Sequence, residues 1–186
     1  MGLLAQFRPE RGLREGEPED WPTATPKVVR VGLDTPAVRS VEGSGLEYHI
    51  VRTEVPSGPE ESAVLQGIDL GQLLRTIVVR RGEDDYVFVL VPGGRQIDWP
   101  KLRAVLGVRR LSLPDKEEAK KATGYDRGAI TPLGSARAWP VVADEAVAAA
   151  GTVAIGAGAR GANFHVDAAQ LLDLLGAQVA DVTKPG

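Results

Sequence analysis

Two glycine-rich segments decide the fold of this chain: Gly124-Tyr125-Asp126-Arg127-Gly128-Ala129-Ile130-Thr131-Pro132-Leu133-Gly134 and Gly156-Ala157-Gly158-Ala159-Arg160-Gly161. We call residues 124–134 the first glycine loop and residues 156–161 the second glycine loop. Glycine is used where the backbone needs a positive φ or must come close to another molecule. Two such segments in one small protein therefore predict a site built mostly from main-chain atoms.

The second glycine loop also reads as Gly-x-Gly-x-x-Gly after the apolar stretch 152–155, which is the pattern of a dinucleotide-binding turn. Asp181 would be the acidic residue that this motif places about 20 positions further on. However, residues 162–166 alternate like a strand, and a helical pattern begins only after Asp167, a good N-cap. A phosphate at the glycines would then lie far from any helix terminus. A nucleotide-binding or purely structural module is thus the minor alternative.

The chain resembles the YbaK/prolyl-tRNA synthetase-associated domain family, whose members are editing deacylases of mischarged tRNA. The resemblance extends from Leu46 to Val182. Four stretches carry it: the first glycine loop resembles the family's Gly-x-x-x-Pro loop, Gly158–Gly161 its second glycine loop, Leu74–Val79 its lysine-threonine strand, and Ala177–Val182 its closing strand. The order and the spacing of these stretches agree together, which is more specific than any one glycine pattern.

This resemblance implies three groups of site residues. They are catalytic Arg75, Gly128, Ile130 and Thr131; substrate-binding Thr76, Pro132, Gly156, Gly158, Gly161 and Asn163; and tRNA-binding Arg80, Arg81 and Arg160. The sequence shows no nucleophile with an activating histidine, and spacing alone does not make an acid/base pair of Asp126, Asp144 or Glu145. Hydrolysis of an activated ester needs mainly a positioned water and donors for the oxyanion, which backbone N–H groups of either loop could supply. The resemblance further implies help from the terminal ribose hydroxyl of the tRNA.

Two departures from the family pattern keep a second function open. Arg75 stands where characterised members carry a functionally important lysine, and a guanidinium does not reproduce the point charge of an amine. Gly156 and Asn163 stand where several bacterial members have a small hydroxyl residue and an aspartate. The alternative is therefore a catalytically impaired relative that binds tRNA, an aminoacyl group or a synthetase without turnover.

The composition excludes several other classes of function. The 186 residues are 43% hydrophobic and 25% charged, with no cysteine and only two histidines, His49 and His165. Thiolate chemistry is excluded, a histidine metal site lacks ligands, and we expect neither metal nor cofactor. No apolar run approaches the roughly 18 residues of a membrane span, and the N-terminus lacks a secretory signal, so we expect a cytoplasmic protein without membrane contact.

The net charge of −3 argues against a protein that coats DNA, but residues 75–127 hold twelve basic against eight acidic residues. The expected partners are therefore the acceptor end of mischarged tRNA and, as a second possibility, an aminoacyl-tRNA synthetase. Part of this excess lies in the mixed-sign stretch 115–121, which also suits a solvated helix face. The pair Arg80 and Arg81, at the end of a predicted strand, is less easily explained that way.

The element pattern predicts one α+β domain with a mixed, barrel-like sheet flanked by helices. Residues 1–26 carry four prolines and mixed charge and are predicted to be a flexible tail, with the deacylase-like domain at 27–186. Within the domain, we predict helices at 35–41, 59–67, 98–107, 114–123 and 168–175. Strands are predicted at 47–51, 73–79, 86–91, 108–113 and 177–182, with the apolar runs 152–155 and 162–166 beside the second glycine loop.

Overall fold

The computed structural model describes residues 32–186. The tail predicted for residues 1–26 lies outside the described residues, as does the beginning of the domain predicted from residue 27. In the part of the chain that the structure describes, no helix is long and apolar enough to cross a membrane.

The described chain folds into six α-helices, one 3-10 turn and nine strands. The helices are α1 Pro36–Val41, α2 Pro59–Gln66, α3 Trp99–Leu106, α4 Lys116–Thr123, α5 Glu145–Ala148 and α6 Ala168–Leu175, with the 3-10 turn at Leu70–Gln72. The strands are β1 Tyr48–Arg52, β2 Leu74–Gly82, β3 Asp85–Pro92, β4 Arg95–Ile97, β5 Val141–Asp144, β6 Thr152–Gly156, β7 Ala162–Asp167, β8 Gln178–Ala180 and β9 Thr183–Pro185.

These strands form three sheets, in the orders β1-β7-β6, β2-β3-β5-β8 and β4-β9. Neighbouring strands are antiparallel except for β3 with β5 and β5 with β8, which are parallel. A single parallel bridge between Leu73 and Ala154 joins the first two sheets. The predicted α+β domain with a mixed sheet and flanking helices is confirmed, and its barrel-like sheet is open rather than closed.

Two apolar layers hold the sheets together. Alternate residues of β2 and β3, such as Val78 and Phe88, join Ile155 and Phe164 of the three-stranded sheet in the larger core. The residues between them pack on the other side of the four-stranded sheet, under α3 and β4, around Leu102. The period-two alternation of a strand thus divides β2 between two environments.

The predicted helices have the capping residues that the sequence suggested. Asp98 accepts a hydrogen bond from Lys101 N at 3.2 Å at the start of α3, and Gly107 ends that helix in the left-handed conformation. Asp167 caps α6 through Gln170 N at 2.9 Å. These side chains satisfy N–H groups that the first helical turn leaves free.

The strand predicted at 108–113 is wrong. This segment makes one isolated bridge, between Arg80 and Ser112, and Leu113 is 60% exposed. Alternation alone predicted a strand there, but a strand needs a continuous neighbour for its backbone groups. The sequence also did not predict β4, β5, β9 or the short helix α5.

Candidate active site

The first glycine loop is closed on itself and held against α1. The hydroxyl of Tyr125 donates to the carbonyl of Leu133 at 2.7 Å, joining the two ends of the loop. Gly134 has φ +66°, and a Cβ there would lie 2.2 Å from the carbonyl oxygen of Pro36. Only glycine allows this approach, so the loop is fixed to the N-terminus of α1.

The second glycine loop is fixed in the same way by its neighbours. A Cβ on Gly158 would lie 3.0 Å from Cε1 of Tyr125, and one on Gly161 would lie 2.6 Å from the carbonyl oxygen of Thr53. The Thr35 hydroxyl donates to the carbonyl of Ala157 at 2.6 Å. The glycines therefore let the loop lie directly against the Tyr125 ring of the first glycine loop and against the backbone of Thr53.

The two glycine loops meet at Gly156. A Cβ on Gly156 would lie 3.5 Å from the carbonyl oxygen of Ile130 and 3.8 Å from Cβ of Thr131. Arg160 also joins the loops, since its Nη2 donates to the carbonyl of Arg127 at 2.9 Å. The sequence-predicted residues of the two loops thus lie together, with Pro132 half-buried directly after the buried Thr131.

Several backbone N–H groups in the first glycine loop are available to a ligand. The N–H of Ala129 donates to Asp126 O at 2.9 Å. Within residues 32–186, no hydrogen bond engages the N–H of Gly128, Ile130 or Thr131. Gly128 is exposed and Ile130 is partly exposed, so their N–H groups can bind an oxyanion, whereas Thr131 is buried.

Asn163 is the register partner of Gly156, so both residues project to the same side of the three-stranded sheet. Arg75 lies in β2 and faces β4, on the side of β2 away from the larger core. Thr76, the next residue, points to the other side, where its cross-strand partner Leu90 lies in the larger core.

Polar atoms of both Arg75 and Thr76 are unpaired. Nη2 of Arg75 donates to the carbonyl of Arg95, which ties β2 to β4. Its Nε is buried and has no hydrogen-bond partner among the described residues, and the same holds for the Thr76 hydroxyl. Leaving a buried polar group unpaired costs about 1–3 kcal/mol, so the unpaired Nε of Arg75 is a donor that a ligand could use.

The candidate carboxylates Asp126 and Asp144 both form structural contacts. A hydrogen bond from Lys120, at 2.9 Å, lowers the pKa of Asp126. Burial acts to raise the pKa of Asp144, but N–H donors of Ala146, Val182 and Thr183 outweigh it and hold the pKa low. Neither group is poised near neutral pH as a general base. The described residues also contain no group of three or more potential metal ligands.

Arg80 and Arg81 line a cavity of about 590 Å³ at the hairpin end of β2. Three further arginines line it, namely Arg103, Arg109 and Arg110. We call these five residues the arginine basin. Sequence reasoning noted the basic excess of the region but did not find Arg103, Arg109 and Arg110 as site residues, because only folding brings α3 and the segment after it to the hairpin.

The arginines of the basin differ in their pairing. Arg80 Nε lies 3.3 Å from Glu118 Oε1, and Arg81 Nη2 donates to Asp85 Oδ1 at 2.7 Å. Arg103, Arg109 and Arg110 form no ion pair with another described residue. At about 3.3 Å per residue, the basin lies roughly 20 Å along β2 from Arg75.

The sequence profile of the aminoacyl-tRNA editing domain matches residues 54–174. The chain is 26% identical over 152 residues to EbsC of Enterococcus faecalis, a candidate Cys-tRNA(Pro)/Cys-tRNA(Cys) deacylase, covering 80% of this chain and 93% of EbsC. It is 30% identical over 151 residues to a proline–tRNA ligase of Stenotrophomonas maltophilia, covering 79% of this chain but 26% of the ligase.

A solved structure has the same fold. The crystal structure of a candidate trans-editing enzyme for prolyl-tRNA synthetase matches with a TM-score of 0.73 at 28% sequence identity, covering 82% of this chain and 99% of that chain. The two glycine loops and strand β2 all begin inside the range that the family profile matches, residues 54–174. That range is more than half of the chain, and the protein belongs to the aminoacyl-tRNA editing domain family.

Proposed function

We propose that this protein is a trans-editing hydrolase that removes the amino acid from mischarged aminoacyl-tRNA. The observation that carries the proposal is the meeting of the two glycine loops at Gly156, beside free N–H groups of the first glycine loop. Family membership and the relatives named above support the same reaction. No observation on the described residues favours the non-catalytic alternative over it.

In the proposed reaction, a water molecule attacks the carbonyl carbon of the ester that joins the amino acid to the terminal ribose. The new C–O bond forms, the carbonyl oxygen becomes an oxyanion, and the N–H groups of Gly128 and Ile130 stabilise it. The bond to the ribose oxygen then breaks. The attacking water gives up a proton and the ribose oxygen takes one and leaves as a hydroxyl group, so the products are the free amino acid and uncharged tRNA.

Arg75 supplies the positive charge in this proposal. Its side chain is fixed at one end by the bond to Arg95 O, and its buried Nε has no partner among the residues described. A fixed cation beside a developing oxyanion lowers the barrier without needing to lose a proton. In this proposal, water and the terminal ribose hydroxyl transfer the proton. Asp126 and Asp144 take no part, because other residues of the fold already hold their carboxylates.

The arginine basin is the proposed contact for the tRNA backbone. Lys and Arg side chains bind phosphates without regard to sequence and dominate the affinity of nucleic-acid complexes. A separation of roughly 20 Å between Arg75 and the basin equals the length of about six stacked nucleotides, at about 3.4 Å each. We place the reaction in the cytoplasm, with an aminoacyl-tRNA synthetase as a second partner.

The test is a deacylation assay with a panel of tRNAs, each charged with a labelled non-cognate amino acid. We expect at least one to lose its label much faster with the protein than in buffer alone. A folded protein that binds these tRNAs and accelerates none of them would be a binding relative instead.

A steric variant checks where the reaction takes place. Gly156 has an ordinary φ, and a Cβ there would make normal contacts at 3.5 and 3.8 Å, so Gly156→Ala should fold while filling the space between the loops. We expect at least a tenfold loss of deacylation. Gly71→Ala is the matched control, because its Cβ would meet nothing within 4 Å and Gly71 belongs to neither loop.

A further inference from the structure

The guanidinium of Arg160 lies across the junction of the two glycine loops. Its Nη2 donates to the carbonyl of Arg127 at 2.9 Å. A Cβ on Gly128 would lie 3.3 Å from its Nε, 3.6 Å from Cζ and 3.7 Å from Nη2, so the guanidinium rests on the bare backbone of Gly128. An exposed arginine is thus held in one place by main-chain atoms of the opposite loop.

The charge of Arg160 is not neutralised by contact. Within residues 32–186 it forms no ion pair, and the nearby carboxylate of Asp126 is bonded to Lys120 at 2.9 Å instead. Of the five N–H donors of a guanidinium, only the one directed at Arg127 meets an acceptor in the described part of the chain. The others form a planar fork that is open to solvent.

A pre-positioned, unneutralised fork of this kind is suited to an oxyanion that can take two parallel hydrogen bonds. An aminoacyl ester has no free α-carboxylate, and its α-amino group is cationic, so the part of the acyl group that all amino acids share cannot be the partner. The nearest anion of a charged tRNA is the phosphate of the same terminal nucleotide that carries the ester. The free N–H groups of Gly128 and Ile130, which would hold the ester, lie in the loop that Arg160 touches.

We propose that Arg160 and Gly128 together form a binding site for the phosphate of the 3′-terminal nucleotide of the tRNA. This inference rests on the proposed function, which supplies the ester and the loop that binds it. Gly128 contributes by lacking a side chain, and Arg160 contributes the donors. The site fixes the terminal ribose relative to the first glycine loop, and it reads a feature common to all tRNAs, separate from the more distant arginine basin.

The experiment compares two non-hydrolysable ligands, in which an amide replaces the ester of a 3′-aminoacyl-adenosine. One carries a 5′-phosphate and the other carries a 5′-hydroxyl. By titration calorimetry, we expect the protein to bind the phosphorylated ligand about tenfold or more tightly, since a charge-assisted bond contributes at least that much. Arg160→Ala should reduce the ratio to about one, and Arg160→Lys should leave an intermediate ratio because one point charge replaces the fork.

Gly128→Ala tests the second member of the site, since its Cβ would lie 3.3 Å from Nε of Arg160 and push the guanidinium away from the loop by a few tenths of an ångström. Gly45→Ala is the matched control, because Gly45 has a similar φ of +84° but open space around its Cβ, so this variant has the backbone strain without the contact. We expect the first variant to have a smaller phosphate preference and the second to keep it unchanged. Equal affinity of the unchanged protein for the two ligands, or a preference that survives Arg160→Ala, overturns the inference. Failure of the deacylation assay with an intact phosphate preference would instead refute only the proposed reaction.

Discussion

The α-carbon of Gly134 lies so close to Pro36 that a Cβ on it would be 2.2 Å from the Pro36 carbonyl oxygen. This approach fixes the first glycine loop to α1, and it depends on a glycine with φ +66°. Because both partners are backbone, neither can move without displacing an element of the fold. The geometry of the candidate active site therefore depends on a contact that involves no functional side chain.

Gly134→Ala should lower the free energy of unfolding by about 3 kcal/mol, because it adds a backbone clash to the strain of a positive φ. Gly43→Ala is the control for strain alone: its φ is +75°, its Cβ would meet nothing within 4 Å, and it should cost about 1–2 kcal/mol. Urea unfolding measures both values. Equal losses in the two variants would mean that the contact with Pro36 does not constrain the loop.

The arginine basin should dominate the affinity for tRNA. Replacing Arg109 and Arg110 together by glutamine removes two phosphate contacts, which should weaken binding about tenfold or more at low salt. The slope of log K against log salt concentration should become less steep by about 1.5. The change Lys116→Gln with Lys184→Gln removes the same charge elsewhere and should leave the slope nearly unchanged. Identical slopes for the two double variants would remove the basin from the tRNA contact.

Arg75 decides between enzyme and binder. Arg75→Ala should abolish deacylation, whereas Arg75→Lys should keep or raise it, because lysine is the usual family residue and retains the charge. Both variants also lose or change the bond to Arg95 O, so melting temperatures must be measured beside the rates. A rate that is unchanged in both variants would show that Arg75 only ties β2 to β4.

His165 should make stability depend on pH below neutrality. The residue is 2% exposed, its Nε2 lies 2.9 Å from Gln66 Oε1, and burial, helped by the charge of His49, lowers its pKa to about 4. The unfolded chain, with a histidine pKa of about 6.5, then binds more protons between these values. The free energy of unfolding should therefore keep its maximum value above pH 6.5 and fall by about 2–3 kcal/mol as the pH drops towards 4.

His165→Gln should flatten that dependence, since an amide can bond to Gln66 without titrating. Chemical unfolding at a series of pH values measures the difference between the two proteins. An equally steep fall in the variant would assign the pH dependence to other groups.

The sequence predicted the helices and loops that have a local signal, such as a capping residue or a glycine. The N-cap Asp98 and the terminal Gly107 predicted α3, and the glycine spacing predicted both loops. The strand predicted at 108–113 failed because alternation records which residues could face a core and not whether a neighbouring strand exists. Strands β4 and β9 pair across most of the C-terminal half of the chain, and no local signal encodes such pairing.

The candidate site was predictable in part for the same reason. The family resemblance named residues of both loops, and the structure brings Ile130, Thr131 and Gly156 together. It puts the side chains of Arg75 and Thr76 on opposite sides of β2, which strand periodicity alone implies. The arginine basin could not be predicted, because it combines a hairpin, a helix and a connecting segment through tertiary packing.

The most direct test of the central claim is to observe the backbone donors with a ligand bound. Amide proton and nitrogen chemical shifts would be recorded while a non-hydrolysable 3′-aminoacyl-adenosine analogue is added to the protein. We predict that the largest changes occur at Gly128, Ile130 and Thr131 and in the second glycine loop, while amides under α3, such as that of Val89, stay unchanged. Large shifts confined to residues outside the two glycine loops would contradict a site built from their N–H groups.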